Sequence, residues 1–201
     1  MARTGRRPGP STTRADILGA ARHLFAANGY DATTVRGVAE AAKVDPALVV
    51  RAFGGKDGLF RAAVGWPWNP ADVIPAVAAG PKASTGRRIA SHFVETWEDP
   101  QERAPIIALI RSAAVHEESR NLLNQFVTTQ LLVPIIRIAG FDQPERRAAF
   151  VAAQLVGTGL ARYVLAIEPL ASMEPELVRD VVAAVVQRIL TLPLPWVPSL
   201  T

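Results

Sequence analysis

The sequence predicts an all-α protein of about nine helices, in which a compact N-terminal helix-turn-helix unit precedes a larger helical region. Three observations predict it. Apolar residues recur three and four apart in segment after segment. No stretch alternates with the period of two that a half-buried strand needs. Glycines and prolines punctuate the helical segments where helices stop. With 201 residues, 49% hydrophobic and 20% charged, the chain has ample apolar material for a packed core and is neither disordered nor fibrous.

Ile17, Ala21, Leu24 and Phe25 fall on one face of a first helix over 13–28, which Gly29 ends. Thr33 or Thr34 caps a second, short helix whose inward residues are Val35, Val38 and Ala39 and which stops near Ala42. After Val44, Asp45 is suited to be an N-cap with Pro46 at the first helical position, so 47–53 forms a third helix that Gly54 and Gly55 end. Lys56 and Asp57 open a fourth, carrying Leu59, Phe60 and Ala63 to the end of the unit near Val64. Gly65, Pro67 and Pro70, with Trp66 and Trp68 between them, make a bent connector. Later helices are expected over 71–79, 86–98, 104–115, 118–133, 144–167 and 175–191. Pro193, Pro195 and Pro198 leave an extended tail. The domains read as a basic arm (1–12), the helix-turn-helix domain (13–64), a helical domain (71–192) and the tail (193–201).

The net charge of +4 is unevenly placed. Residues 1–60 hold nine Lys or Arg against five Asp or Glu, while the remainder is balanced. Arg3, Arg6, Arg7 and Arg14 all precede the first acid, Asp16, and such a cationic arm suits a polyanion, with nucleic acid the leading candidate. The absence of cysteine excludes disulfides, thiolate zinc sites and a cysteine nucleophile. His23, His92 and His116 are too scattered for a metal motif. His116, Glu117 and Glu118 are adjacent, point apart on a helix and read as a solvated helix end. With no glycine-rich phosphate loop and no nucleophilic triad order, neither enzyme activity nor a cofactor is expected. No apolar run approaches the roughly 20 residues of a membrane span, and no apolar signal segment follows the basic start, so the expected location is cytoplasmic, without a membrane partner.

The stretch from Thr33 to Phe60 resembles the DNA-binding motif of the TetR (tetracycline-repressor-like) family of transcriptional regulators. The likeness lies in Val38-Ala39 of the supporting helix, the turn into Val44, Phe53 closing the recognition helix, and Gly54-Gly55-Lys56 followed by Asp57 and Leu59. Leu24-Phe25 and Gly29-Tyr30 extend it upstream. The resemblance implies a homodimeric regulator whose N-terminal domain reads DNA and whose larger helical domain senses an unidentified small-molecule effector. The residues agree with that role. Val44, Val49 and Phe53 can grip the supporting helices, which leaves Pro46, Ala47, Leu48, Val50 and Arg51 toward the major groove, with Asp45 at the cap. Ala47 and Leu48 can pack on thymine methyls, and Arg51 can contact a guanine edge or a phosphate. Thr34, Arg36, Lys43 and Lys56 are candidate phosphate contacts. Two positions depart from the family pattern. Relatives often carry Tyr or His, touching phosphate, where this chain has Val50 and Ala52, and Asp45 replaces the usual Ser or Thr cap. A helical dimeric protein-interaction module with weakened or lost DNA binding is the alternative these departures leave open.

Dimerisation is expected through the two most apolar late helices, by Val156, Gly159 and Leu160 on one and Val178, Val182, Val185 and Ile189 on the other, unless these stripes line the core of one protomer. Candidate ligand-binding residues are Trp66, Phe93, Trp97, Ile107, Phe126 and Tyr163, together with Arg111 and Arg162, each in an apolar context. An arginine so placed either pairs with a carboxylate such as Glu95 or Glu118 or awaits an acidic ligand.

Overall fold

The computed structural model describes residues 10–194, all-α with no strand among them. Arg3, Arg6 and Arg7 of the basic arm, and Pro195 and Pro198 of the tail, lie outside the described residues. The helices are α1 (Pro10–Ala32), α2 (Val35–Ala41), α3 (Pro46–Phe53), α4 (Lys56–Val64), α5 (Pro70–Ala78), α6 (Thr85–Glu98), α7 (Pro100–Val115), α8 (Glu117–Asn124), α9 (Val133–Ile138), α10 (Pro144–Gly159) and α11 (Pro175–Thr191).

Several boundaries differ from expectation for local reasons. α1 is broken at Gly29, whose φ of 81° and ψ of 169° only glycine adopts readily, so the regular helix stops there and a further turn follows. α7 begins at Pro100 because Asp99 accepts from the Gln101 N–H at 2.7 Å, making an N-cap followed by a first-turn proline. The single helix expected over 118–133 is α8, a π-helical stretch Gln125–Leu132, and then α9, with Pro134 in the first turn of α9 where its missing N–H does least harm. Likewise α10 stops at Gly159 and Leu160–Val164 is a π-helical turn.

The chain packs as two compact units. Among the described residues, one comprises those up to Asn69 with Ala104–Phe126, and the other Pro70–Arg103 with those from Val127 on. Residues 104–126, expected in the C-terminal domain, therefore group with the N-terminal helices. In this first unit α1 packs on α2, α4 and α8. Its core is Ile17, Ala21 and Phe25 of α1 with Val38, Ala39, Val49, Leu59, Phe60, Leu122 and Phe126, all buried. The ring of Phe60 meets Phe25 edge-on at 4.7 Å and Tyr30 at 5.1 Å.

In the second unit α6 and α11 lie against each other along their lengths, α5 packs on α6 and α9, and α10 on α9 and α11. The closest approach is at Gly86 of α6, where a Cβ would lie 2.6 Å from the Gln187 backbone nitrogen and 2.7 Å from the Ala183 carbonyl oxygen. The Gln187 side chain returns to accept from the Gly86 N–H at 2.8 Å. Arg147 of α10, only 3% exposed, ties down the C-terminal end of α11 just beyond this contact. It donates to the carbonyls of Ile189 (2.7 Å) and Leu192 (3.0 Å) and to the Asp142 carboxylate (2.6 Å), which its hydrogen bond holds below the usual carboxylate range.

Glycine substitutions separate packing from propensity. Gly86→Ala is expected to cost about 2 kcal/mol of unfolding free energy, because backbone atoms cannot yield as a flexible side chain does. Gly19→Ala, on an exposed part of α1 with open space around it, should instead add up to about 1 kcal/mol. Urea titration of both variants checks the pair.

Candidate nucleic-acid interface

Local chemistry fixes α2 and α3. Thr34 is the N-cap of α2, its hydroxyl accepting from the Gly37 N–H at 3.0 Å. After α2 the chain turns through Lys43, which holds a positive φ of 56° that side chains rarely adopt, and the Val44 N–H returns to the Ala39 carbonyl at 2.9 Å. Asp45 caps α3 by accepting from the Ala47 N–H at 2.7 Å, and Pro46 follows in the first turn. The left-handed Gly54 ends the helix. At Gly58 a Cβ would collide with the Phe53 carbonyl, so the start of α4 closes tightly over the end of α3.

Only one side chain of α3 is wholly buried. Val49 is 0% exposed, whereas Val50 beside it is 49% exposed. Pro46, Ala47 and Arg51 are exposed and Leu48 is half-buried. Phe53 is half-buried beneath the Arg14 guanidinium, 4.5 Å from the ring centre, and Arg14 also donates to the Ala52 carbonyl at 3.4 Å. Arg14, expected in the arm, is thus a brace for the negative end of the α3 dipole.

Thr34, Arg36, Lys43 and Asp45 are all exposed around α3. Lys56 is half-buried, its ammonium donating to the Asp31 carbonyl at 3.1 Å and sitting 4.4 Å from the centre of the Tyr30 ring. That leaves N–H donors on Lys56 unspent, since an ammonium carries three. The Tyr30 hydroxyl donates to Asp57, and burial followed by that carboxylate pushes the phenol above its ordinary range. The Tyr30–Asp57 link and the brace at Arg14 escaped sequence reasoning, which had no signal for pairings 27 and 38 residues apart.

The comparisons bear on this geometry. A family model described as "Tetracyclin repressor-like, C-terminal domain" matches residues 83–190, more than half of the chain, and one described as "Bacterial regulatory proteins, tetR family" matches residues 17–63. The chain belongs to the tetR family. A TetR-family regulator from Streptomyces coelicolor is 33% identical over 94% of this chain and 99% of that chain, with a TM-score of 0.45. A transcriptional regulator from Pseudomonas aeruginosa is 22% identical, covering 89% and 90% of the two chains at a TM-score of 0.40. One from Saccharomonospora viridis, solved in complex with choline, is 19% identical, covering 88% and 96% at a TM-score of 0.43. No curated protein matches the sequence significantly. As a tetR-family member the protein is a DNA-binding transcriptional regulator and not an enzyme. No described helix is long and apolar enough to cross a membrane.

The remaining candidate residues of this tetR-family chain divide between the two units. Trp66, Ile107, Arg111 and Phe126 belong to the first, where Trp66 lies 4.6 Å from Phe126 between ring centres. Arg111 is exposed, so its apolar sequence context implies no buried charge and no need of a partner. Phe93, Trp97, Arg162 and Tyr163 belong to the second. There Arg162, 7% exposed, pairs with Glu98 rather than Glu95 or Glu118: Nη2 donates to Oε1 at 2.9 Å and Nη1 donates to the Leu170 carbonyl. The Tyr163 hydroxyl donates to the same Glu98 oxygen at 2.8 Å, and its ionisation is pushed up to about 12, by burial first and then by that carboxylate. A cleft of about 430 Å³ does occur between α5 and α6, walled by Val73, Ala76 and Val77 with Asp72, Ser91 and His92 at its polar parts. None of the expected ligand residues lines it.

The late helices also require correction. Val178 and Val182 are 1% and 2% exposed within one protomer and Gly159 is buried, its missing Cβ making room for the Trp97 ring. These three are core, not interface. Val156, Leu160, Val185 and Ile189 are half-buried. What remains uncovered is the neighbouring register: Leu177 (52%) and Val181 (53%) with Ala184 on α11, and Phe150 (58%) with Ala149, Ala153 and Gly157 on α10.

The cap of α3 supplies a direct test. Asp45→Ala should lose about 1 kcal/mol of stability, whereas Asp45→Ser, which retains an accepting oxygen, should stay near the parent in urea unfolding.

Proposed function

We propose that the protein is a homodimeric repressor that occupies a palindromic operator and is released by a small-molecule effector. One observation carries this reading: Val49 is the only wholly buried side chain of α3, which turns Ala47, Val50 and Arg51 outward, amid exposed Thr34, Arg36 and Lys43. An eight-residue helix held by one edge, its other face uncovered and ringed by cations, has the form that major-groove insertion demands. Thr34, Arg36, Lys43 and Lys56 hold phosphates, while Pro46, Ala47, Leu48, Val50 and Arg51 face the bases and Asp45 shapes the entry. The protein acts in the cytoplasm, where its operator lies.

One such helix covers one half-site, and a two-fold dimer supplies the second about one helical turn away. The uncovered apolar strip of α10 and α11 is the surface proposed for pairing, Phe150 and Val181 being its largest exposed members along with Leu177. The effector binds the helical C-terminal domain and favours a spacing of the two DNA-binding domains that does not fit both half-sites. Thermodynamic linkage requires it to bind that DNA-incompetent arrangement more tightly.

Fluorescence anisotropy with a palindrome from the protein's own promoter tests the DNA reading. Binding should fall steeply with salt, and Arg36→Ala and Lys43→Ala should each flatten the slope of log K against log salt by about 1.8, one phosphate contact being lost from each of the two protomers. Salt-insensitive or absent binding would defeat the proposal. Sedimentation of Val181→Glu tests the pairing surface: a folded monomer with operator affinity lost is expected, and an unchanged dimer would move the interface elsewhere.

A further inference from the structure

We infer that α3 recognises thymine through its 5-methyl group, with Ala47, Leu48 and Val50 as the specificity-determining residues, and that the same surface distinguishes 5-methylcytosine from cytosine. The inference rests on the proposed insertion of α3 into the major groove and goes beyond it by naming the chemistry that is read.

The outward face of α3 is almost empty of hydrogen-bonding groups. Ala47 and Val50 are exposed and Leu48 half-buried, and none of them carries a donor or acceptor. Asp45 has one carboxylate oxygen occupied by the Ala47 N–H, its task as cap. Arg14 is held at the far end of the helix by the Ala52 carbonyl and the Phe53 ring. Arg51 is the only side chain between Pro46 and Phe53 that can hydrogen-bond a base edge.

In the major groove guanine, adenine and cytosine offer donors and acceptors, and thymine alone adds a methyl group. Apolar side chains pressed against a polar base edge strip its water and return no hydrogen bond, which is penalised. Against a methyl the same surfaces gain by burial. Selection therefore works in both directions: this face favours C5-methylated pyrimidines and disfavours bare cytosine. Ala47 and Val50 lie three residues and about 4.5 Å apart along the helix axis, close to one base step, so their partners are methyls on neighbouring base pairs. Arg51, one turn beyond Ala47, is left to a guanine or a phosphate. The methyl of 5-methylcytosine projects from the same ring carbon as that of thymine and meets the same surface.

The test uses the full-length protein and a duplex obtained by repeated selection from a random library. Each thymine is replaced singly by deoxyuridine, which removes only the methyl, and affinity is read by anisotropy. One or two positions per half-site should lose about fourfold, the ratio for one buried carbon. At those positions a 5-methylcytosine·guanine pair should bind more tightly than cytosine·guanine by a similar ratio, and Val50→Ser should abolish the uracil effect at its own position. If a sequence-specific duplex is recovered and every uracil substitution leaves affinity unchanged, the methyl inference is overturned while the DNA-binding reading stands. If selection recovers no preferred sequence, insertion of α3 itself is refuted and the inference falls with it.

Discussion

The burial of one side chain, Val49, governs what the N-terminal unit can do. A helix of eight residues is too short to persist alone in water, so α3 must borrow stability from its surroundings. It takes that stability from four places: the fully buried Val49, the Asp45 cap, the left-handed Gly54, and Arg14 against the carbonyl end. Three of the four act at the ends of the helix. Such an arrangement leaves its long outer face free of intramolecular contacts. Burying more of α3 would make it firmer and would remove the surface it presents. The exposed Val50 beside the buried Val49 is the visible form of that compromise.

The second unit uses a different device. α6 and α11 approach through Gly86 so closely that helix backbone touches helix backbone, and the Gln187 amide locks their register. Arg162 then adds a buried cation held by Glu98 and the Leu170 carbonyl. An ion pair with a buried cation and a partly exposed carboxylate is weak support for stability, because desolvation of the cation cancels much of its attraction. Its effect is positional: it fixes the π-helical turn Leu160–Val164 against the end of α6 and brings Tyr163 to the same carboxylate. With the unit set by these contacts, the apolar residues that remain outside on α10 and α11 are a defined strip and not an accident of loose packing.

The helix-turn-helix was legible in the sequence because its signals are local. Thr34 bonds three residues ahead, Asp45 two residues ahead, and Gly54 needs only its own backbone freedom. The exposed faces of Ala47, Val50 and Arg51 follow from helical periodicity once Val49 is placed inside. Where reasoning went astray, the information was not local. Arg162 and Glu98 are 64 residues apart, and nothing in either segment selects Glu98 over Glu95. On α11 a valine or other apolar residue stands on nearly every face, so periodicity cannot say which stripe is core; the structure buries Val178 and Val182 and leaves Val181 out. The π-helical stretches are a third case, since the shift of the backbone bond from i→i+4 to i→i+5 leaves no compositional mark.

An apolar recognition face has consequences for how a tetR-family regulator of this kind must work. Methyl contacts are non-directional and each discriminates less sharply than a bidentate hydrogen-bonded pair, so on the inferred readout a single α3 would gather little sequence information. The proposed phosphate contacts around it would add affinity without adding specificity. In the proposed homodimer, most of the discrimination between operator and other DNA would therefore come from placing two such helices simultaneously at a fixed separation, which multiplies two modest preferences. Specificity of that origin is unusually sensitive to geometry. A small change in the spacing of the protomers forfeits the second half-site while leaving each helix chemically intact. The proposed effector would then need to supply only the free energy that separates two dimer arrangements, and not the larger amount needed to dismantle a network of base-specific hydrogen bonds.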